Sequence, residues 1–229
     1  MKALAIDTSN YVLGIALIDE TQVIGEYITN LKKNHSARAM PAIDSLLKEC
    51  DIVPQDLDKI IVAVGPGSYT GVRIGVSIAK TLAWSLNVPI VGVSSLETLA
   101  ANGRLFDGYI CPLFDARRGR VYTGLYQSTA EGLLVVEEDQ NVLLEDWAEI
   151  LKEKRKPVLF LGNDVHIHLD TIKEKLIEDA VIGQQPIQNP RPSELAFLGL
   201  NKQASDVHSL VPNYIRLAEA EAKWLEQQK

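Results

Sequence analysis

The sequence predicts a two-lobed α/β fold in which mixed sheets are flanked by helices. A strand, a glycine-rich turn and a long helix follow one another over residues 60–86. Short strands separated by tight turns precede this unit, and alternating strands and helices follow it. The same order of elements then begins again, although the sequence itself does not repeat. We therefore expect a first lobe at residues 1–104 and a smaller second lobe at residues 105–229.

The first lobe opens with strands and an amphipathic helix. Three short apolar runs separated by turns predict an antiparallel meander, at residues 2–7, 12–19 and 22–29. Over residues 35–50 apolar side chains return every three or four positions, which indicates a helix with one apolar stripe. Pro41 lies inside this span, so the helix either begins near it or bends there.

The central unit consists of a buried strand, a turn and a helix. Most of residues 60–64 are β-branched, as in a strand that is covered on both faces. The turn Gly-Pro-Gly at residues 65–67 ends the strand, and Ser68 or Thr70 can cap the helix that continues to residue 86. This helix is apolar around most of its circumference, so its outer side needs a second cover, from this chain or from a partner.

The remaining elements complete the first lobe and repeat its plan. A strand at residues 88–93 and a helix at residues 95–102 end the first lobe. Strands of the second lobe are predicted at residues 109–115, 120–127, 133–137, 157–161 and 180–182. Helices are predicted at residues 144–154, 167–178, 193–203 and 218–227, with an extended stretch at residues 211–216.

Composition and charge exclude several classes of protein. The chain has 229 residues, of which 46% are apolar and 23% charged, as in ordinary globular proteins. No apolar run approaches the roughly 18 residues of a membrane span, and Asp7 interrupts the first run too early for a signal peptide. Cys50 and Cys111 lack metal or redox spacing, so we expect reduced thiols in a cytoplasmic protein. The net charge of −7 disfavours stand-alone binding of nucleic acid, whose affinity comes largely from basic contacts to phosphate.

The glycine-rich turn admits two interpretations. Backbone amides at the start of a helix favour anions, which would make the turn a phosphate cradle. The segment matches neither the P-loop nor the dinucleotide-binding pattern, so a structural turn is the favoured interpretation. The first strand ends in Asp-Thr-Ser before a hairpin, which resembles the opening of the actin-like ATPase superfamily. That resemblance implies a vestigial phosphate site between the lobes, formed by this turn and the polar end of the first strand of each lobe. Its candidate residues are Asp7, Thr8, Ser9, Gly67, Ser68, Asp115 and Arg117.

The sequence contains no recognisable catalytic centre. His166 and His168 lack an acidic or cysteine companion at metal-binding spacing, and there is no HExxH motif. Ser68 and Cys50 have no base at a readable spacing, which argues against a nucleophilic enzyme. The second lobe has a single glycine, Gly162, where an ATPase would present a glycine-rich segment to adenosine. We therefore predict no catalytic residue, no metal and no cofactor.

Five short segments stand out as motifs. The longest is GPGSYTGVRIG at residues 65–75, and the others are AIDTS at 5–9, HS at 35–36, GVSSL at 92–96 and DARRGRVY at 115–122. Together they resemble the TsaB family, also called YeaZ. The resemblance covers the first lobe and part of the second, and it is weak beyond residue 140. Arg120 stands where many relatives have an acidic residue, which leaves the charge pattern of that turn open.

The resemblance implies a fold and a role. The fold is the actin-like ATPase fold, which actin, Hsp70 and the sugar kinases share. The role is that of a non-catalytic subunit in the formation of N6-threonylcarbamoyladenosine in tRNA. There the enzyme TsaD, supported by the ATPase TsaE, transfers threonylcarbamoyl from threonylcarbamoyl-AMP to the adenosine beside the anticodon of tRNAs that read codons beginning with A. TsaD carries a His-x-x-x-His metal pair on its first long helix. Here Ala39 stands four residues after His35, in place of the second histidine, which implies a pseudo-enzyme.

The resemblance also implies partners. TsaD would bind the chain directly as a heterodimer, TsaE would join a ternary complex, and tRNA would be reached only indirectly, with no membrane involved. Without TsaD the same surface could pair with itself as a homodimer. Two alternatives stay open. One is a stand-alone actin-like ATPase or small-molecule kinase, and the other is a chaperone-like stabiliser with no role in the transfer chemistry.

The two long helices of the first lobe form the expected pairing face. Two helices from each partner would make a four-helix contact. The contact would use the apolar stripe of the first helix and the apolar sides of the second. These residues are Met40, Ile43, Leu47, Val72, Val76, Ala79, Lys80 and Ala83.

Overall fold

A computed structural model describes residues 1–215 of the chain, which form two lobes, each built on a five-stranded mixed sheet. The strands of the first lobe are β1 Ala3–Asp7, β2 Val12–Ile18, β3 Val23–Asn30, β4 Lys59–Ala63 and β5 Ile90–Val93, and its helices are α1 His35–Glu49, α2 Tyr69–Leu86 and α3 Ser95–Ala100. The strands of the second lobe are β6 Tyr109–Asp115, β7 Arg120–Thr129, β8 Gly132–Leu143, β9 Val158–Leu161 and β10 Ala180–Ile182, and its helices are α4 Leu144–Glu153 and α5 Leu169–Leu176. Helix α6 Pro192–Leu200 follows.

The two sheets have the same strand order. In the first lobe the order is β3-β2-β1-β4-β5, in which β2 runs antiparallel to β1 and β4 runs parallel to it. In the second lobe the order is β10-β9-β6-β7-β8, and β6 takes the place of β1. An antiparallel meander followed by two parallel crossovers therefore occurs twice. The predicted two-lobed α/β fold with mixed sheets is confirmed, and so is the predicted repeat in element order.

The sheet of the first lobe is covered by helices on both faces. Every residue of β1 and β2 is buried. Because side chains alternate along a strand, Leu4 and Ile6 point into the core under α1 and α2, whereas Ala3 and Ala5 point toward α6. No helix within residues 1–215 is long and apolar enough to cross a bilayer.

Helix α6 corrects the predicted lobe boundary. We expected a helix at residues 193–203 in the second lobe, but Ala196 lies in the core of the first lobe together with Ala3. Gly199 packs so closely on the sheet that a Cβ atom there would lie 2.4 Å from Ile61 Cγ2. Apolar spacing shows that a helix covers a sheet, but it does not show which sheet, and this is why the boundary was misplaced.

A C-terminal strap, residues 205–214, continues along the first lobe after α6. The amide of Ser205 hydrogen-bonds to β5, and the amide of Asn213 donates to the carbonyl that follows β4. Lys80 of α2 donates to the backbone carbonyls of His208 at 3.0 Å and Leu210 at 2.9 Å. The chain thus supplies part of the second cover of α2 itself. The predicted helix at residues 218–227 lies outside the described residues, as does the last residue of the extended stretch 211–216.

Two elements of the second lobe differ from their predicted bounds. Strand β8 is 12 residues long, whereas only residues 133–137 were predicted. Its second half is polar and reads as a loop, yet it pairs with β7 through the backbone up to Leu143. The helix predicted at residues 167–178 begins at Leu169, after a 3-10 turn that contains both histidines of the H-x-H motif.

Candidate functional site

The turn between β1 and β2 packs directly on the glycine-rich turn and the start of α2. Ser68 N donates to Ser9 O at 2.7 Å, and Thr8 Oγ1 donates to Gly71 O at 2.7 Å. A Cβ atom on Gly67 would lie 2.2 Å from Ser9 O, and one on Gly71 would lie 2.2 Å from Thr8 O. Only glycine permits such an approach, so the packing explains these two glycines without a ligand.

Two amides at the start of α2, those of Ser68 and Gly71, already have acceptors inside the protein. Ser68 is the N-cap, as the sequence predicts, and its Oγ accepts from Gly71 N at 3.2 Å. Its own amide is taken by Ser9 O. A phosphate cradle needs amides of this kind to be free. The geometry therefore favours the structural interpretation of the turn at Gly67 and Ser68.

Asp7, at the end of β1, is a buried carboxylate with one unpaired oxygen. Its Oδ1 accepts from Ser9 N at 2.8 Å, but Oδ2 has no hydrogen-bond partner among residues 1–215. Burial raises the pKa of Asp7, and the hydrogen bonds from Ser9 and the nearby His35 offset part of this rise. His35, the first residue of α1, donates from Nε2 to Asn10 O at 2.7 Å, and its Nδ1 is also buried without a partner in the described chain.

Replacing Asp7 by asparagine is expected to stabilise the protein at neutral pH, because it removes a buried carboxylate charge. The folded-state pKa of Asp7 is raised, so the carboxyl increasingly destabilises the folded protein as the pH rises from the ordinary pKa of aspartate toward the raised one. The advantage of Asp7→Asn should therefore grow as the pH rises toward neutral and vanish below about pH 4, where the carboxyl is protonated in both states. Urea unfolding of both proteins across this pH range measures the difference.

Asp19→Asn is the matched control for Asp7→Asn. Hydrogen bonds from the backbone and side chain of Thr21, and further ones from Gln22, lower the pKa of the exposed Asp19 to about 2. Its ionised form is favoured in the folded state, so this variant should show no gain at neutral pH. A pH-independent difference between wild type and Asp7→Asn would contradict the assignment of a buried charge.

The matching position in the second lobe is engaged in a different way. Asp115, at the end of β6, accepts from His168 Nε2 at 3.0 Å, and its amide donates to Asp164 Oδ2 at 3.0 Å. Arg117 and Arg118 lie exposed in the β6–β7 turn with positive φ angles of 65° and 55°. Asp115 is thus held within its own lobe. Within residues 1–215, Arg117 makes no hydrogen bond to the Asp115 carboxylate.

The described residues do not assemble a metal centre. Within residues 1–215 no group of three or more His, Cys, Asp or Glu side chains is placed to hold a metal ion. The two histidines of the H-x-H motif go to different partners, since His166 bonds to the carbonyl of Asn163 and His168 bonds to Asp115. The residue four positions after His35 is Ala39, which is fully buried in α1. His35 therefore lacks the second histidine of a His-x-x-x-His pair.

Two polar joints, absent from the sequence-based prediction, tie the lobes together. Asp139 of β8 accepts from Tyr126 OH at 2.5 Å and from Ser94 Oγ, the N-cap of α3. Burial raises the pKa of Asp139, and these two hydroxyls offset part of the rise. At the second joint, Asn189 Oδ1 accepts from Asn163 at 2.7 Å and from Asn30 at 3.2 Å. Of these residues, only Ser94 has a local signal in the sequence, which is its capping role. The other contacts join residues that are remote in the sequence, so no local pattern indicates them.

Most of the residues predicted for the partner interface lie inside the first lobe. Ile43, Leu47, Val72, Val76, Ala79 and Ala83 are buried in the core formed by α1, α2 and the sheet. Lys80 is tied to the strap, and only Met40, with 43% of its surface accessible, faces solvent freely. We correct the prediction accordingly. Helical periodicity identifies the apolar stripe, and in these helices that stripe covers the chain's own sheet.

On their outward side, α1 and α2 present a different set of residues to solvent. We define the outer helix face as Ala37, Met40, Asp44 and Lys48 of α1 with Arg73, Ser77, Thr81 and Trp84 of α2, all of them exposed. Trp84 dominates this face, because 67% of its surface is accessible. Exposed aromatic side chains surrounded by small polar residues are typical of sites that bind another protein. The small residues Ser77 and Thr81 would also let a partner helix approach closely.

Known proteins match the chain along most of its length. A family model described as TsaD, tRNA N6-adenosine threonylcarbamoyltransferase, matches residues 22–224. The tRNA threonylcarbamoyladenosine biosynthesis protein TsaB of Bacillus subtilis is 68% identical over 229 residues, which cover all of both chains. The protein of the same name from Escherichia coli is 34% identical over 145 residues, or 62% of each chain.

The fold also has solved counterparts. YeaZ from Pseudomonas aeruginosa is similar with a TM-score of 0.78 at 22% identity, over 93% of this chain and 99% of that one. A second structure, described as an uncharacterised protein similar to peptidase YeaZ from Pseudomonas aeruginosa, has a TM-score of 0.81 at 24% identity, over 94% and 99%. These likenesses establish the fold, and the full-length match to the Bacillus subtilis protein establishes the family. The chain belongs to the TsaB family of tRNA threonylcarbamoyladenosine biosynthesis proteins.

Proposed function

We propose that the chain acts in the formation of N6-threonylcarbamoyladenosine in tRNA as a non-catalytic subunit that binds a TsaD-type enzyme directly. The observation that carries this proposal is the 68% identity to the Bacillus subtilis TsaB over the whole chain. TsaE joins the pair in a ternary complex, and the transfer of threonylcarbamoyl from threonylcarbamoyl-AMP takes place on TsaD. The contribution of this chain is to hold its partner in an active arrangement.

The state of the candidate cleft supports a role without chemistry of its own. The amides of Ser68 and Gly71, where a phosphate would bind, are occupied by protein acceptors. Of the Asp115 carboxylate, which would face a nucleotide from the second lobe, the oxygen Oδ1 accepts from His168 instead. A carboxylate that binds Mg²⁺ needs its oxygens free toward the ligand. The stand-alone ATPase or kinase therefore has less support, and tight Mg²⁺-dependent ATP binding by the isolated chain would revive it.

Charge supports an indirect contact with tRNA. The chain carries a net charge of −7, and nucleic-acid affinity comes largely from cations that neutralise phosphates. The partner enzyme would then supply most of the contacts to tRNA. Because the proposed role is in tRNA modification, we infer that the protein acts in the cytoplasm. In the absence of TsaD we expect the outer helix face to pair with a second copy, because an isologous contact satisfies the same apolar surface.

Replacing Trp84 by alanine is expected to disrupt the complex with the TsaD-type enzyme. A large aromatic side chain that becomes buried in an interface contributes about 2 kcal/mol or more, so its removal corresponds to a roughly 30-fold weaker Kd. Size-exclusion chromatography with light scattering on the wild-type pair should show a one-to-one complex. The same measurement and a Kd by calorimetry should show its loss or weakening in Trp84→Ala.

Leu105→Ala is the matched control for Trp84→Ala. Leu105 is also large and apolar, and 96% of its surface is accessible, but it lies in the connection between the lobes rather than on the outer helix face. Its replacement should leave the Kd unchanged. Equal effects of the two variants would move the interface elsewhere, and the lack of any wild-type complex under all nucleotide conditions would refute the proposed function. Loss of the tRNA modification in Trp84→Ala, with TsaD still folded, would exclude a mere stabiliser.

A further inference from the structure

Arg73 is held in a clamp of two tyrosines at the start of α2. Its guanidinium carbon lies 4.1 Å from the ring centroid of Tyr69 and 5.6 Å from that of Tyr214. Arg73 Nε donates to Tyr214 OH at 2.5 Å, and the two rings are 5.2 Å apart. One edge of the guanidinium is therefore fixed by the protein. None of the ion pairs among residues 1–215 includes Arg73, so its charge has no carboxylate partner in the described chain.

The clamp is assembled from two parts of the chain that are remote in sequence and meet on the first lobe. Tyr69 is the first residue of α2, whereas Tyr214 is the last residue of the strap. The strap is positioned there because Asn213 N donates to Val64 O at 2.7 Å, one residue before Tyr214. Stacking and hydrogen bonding restrict the long side chain of Arg73 in advance, so less conformational entropy is lost when it binds a ligand. The side chain nevertheless remains exposed.

Arg73 and Trp84 lie on the same side of α2. They are eleven residues apart, which at about 100° and 1.5 Å per residue puts them about 20° apart around the helix and about 16 Å apart along it. Ser77 and Thr81 lie between them on the same exposed stripe. The clamped arginine thus marks one end of the outer helix face, and the exposed tryptophan marks the other. Arginine, tyrosine and tryptophan are the residue types most enriched among interface hot spots.

The charges on this face select the kind of ligand. A guanidinium presents a planar fork of donors that matches a carboxylate or a phosphate. A nucleic-acid backbone would require several free cations. On the outer helix face the other cation, Lys48, is paired with Asp44 at 2.7 Å, and beside the face Lys80 is bound to backbone carbonyls. Arg73 therefore stands alone as the available charge, which fits one carboxylate on a protein rather than a row of phosphates.

We propose that Arg73, preorganised by Tyr69 and Tyr214, binds an aspartate or glutamate side chain of the TsaD-type partner and thereby fixes the register of the two helices against that partner. This inference rests on the proposed function and adds to it a specific recognition contact. Trp84 provides apolar area, and Arg73 provides the directional contact. Both Tyr69 and Tyr214 are positioning residues for Arg73.

Arg73→Gln tests the proposal in the complex of the full chain with its TsaD-type enzyme. We expect a Kd at least tenfold weaker, with much of the salt dependence of binding lost, while the melting temperature of the isolated chain changes little. Arg73→Lys keeps the charge but loses the fork and the stacking, so it should restore only part of the affinity. Lys48→Gln removes a cation of the same face that is already paired, and it should bind as the wild type does.

A charge swap identifies the partner residue. Arg73→Glu should abolish binding, and a single Asp→Lys or Glu→Lys change on the contact surface of the enzyme should restore it. Wild-type affinity of Arg73→Gln in a complex that does form would overturn this inference and leave the proposed function intact. Unchanged binding of the enzyme together with weaker binding of tRNA by the complex would also overturn it, in favour of a phosphate contact. The absence of any wild-type complex would instead refute the proposed function.

Discussion

Replacing Val76 by glutamate is expected to leave the first lobe unfolded at neutral pH. Val76 is 4% exposed and lies in the core under α2 with Leu4, Ile6 and Val62. A carboxylate at this position would have no hydrogen-bond donor or cation, and burying such a group costs several kcal/mol. The whole free energy of unfolding of a domain is about 5–15 kcal/mol, so this single change removes most of it. Thermal unfolding followed by circular dichroism on the isolated chain measures the effect.

Ser77→Glu is the matched control for Val76→Glu, one residue further along the same helix. Ser77 is exposed and belongs to the outer helix face. We expect this variant to keep its fold and its melting temperature, because an exposed charge remains solvated, and to bind the TsaD-type enzyme more weakly. A folded Val76→Glu protein with the wild-type melting temperature would contradict the packing of α2. The pair of variants separates the side of α2 that builds the lobe from the side that we propose as the contact with a partner.

The order of strands and helices along both lobes could be predicted because each of its signals is local. Apolar runs of strand length, turn residues between them and β-branched positions are all properties of a few neighbouring residues. The run at residues 60–64 became β4, and the run at residues 109–115 became β6. Once strands and helices alternate, short connections and the handedness of crossovers leave few arrangements. The repeat of the element order then indicated that the second lobe follows the plan of the first.

The elements that were misplaced depend on contacts between remote parts of the chain. Helix α6 has an apolar face, but its choice of the first lobe rests on the small residues Ala3 and Ala5 of β1, which leave room for it. The sequence predicted that α2 needs a second cover. Part of that cover is the strap, which lies far from α2 in the sequence. Hydrophobic periodicity carries no information of this kind, since it describes one element at a time.

The predicted contact face consisted mostly of inward residues of α1 and α2, which the structure buries in the core of the first lobe. The apolar stripe of α2 was counted as available surface, although a sheet of the same lobe had to be covered by it. A usable signal was present in the sequence: Trp84 shares a helical stripe with Arg73, Ser77 and Thr81, and a tryptophan among polar residues on one side of a helix does not serve the core. The clamp on Arg73 could not be foreseen, because Tyr214 reaches it from the strap.

Replacing Gly71 by alanine is expected to destabilise the protein by about 3 kcal/mol, although alanine is the better helix former. In a helix the exchange of glycine for alanine alone would gain about 1 kcal/mol. At this position, however, the added Cβ atom would lie 2.2 Å from Thr8 O, a backbone atom that cannot move aside without shifting the β1–β2 turn. That shift would break the bond from Thr8 Oγ1 to Gly71 O and the bond from Ser68 N to Ser9 O.

Urea unfolding of Gly71→Ala at neutral pH measures this loss, and Thr70→Ala serves as its control. Thr70 precedes Gly71 in the first turn of α2 but is exposed, so its replacement should change the free energy of unfolding by no more than about 0.5 kcal/mol. If Gly71→Ala proved as stable as Thr70→Ala, the close packing of the turn on α2 would be wrong, and the glycine-rich segment would again need a ligand to explain it. A large loss of stability confined to Gly71→Ala would show that the motif serves to join the strand, the turn and the helix. The outer helix face depends on this arrangement, because α2 forms part of it.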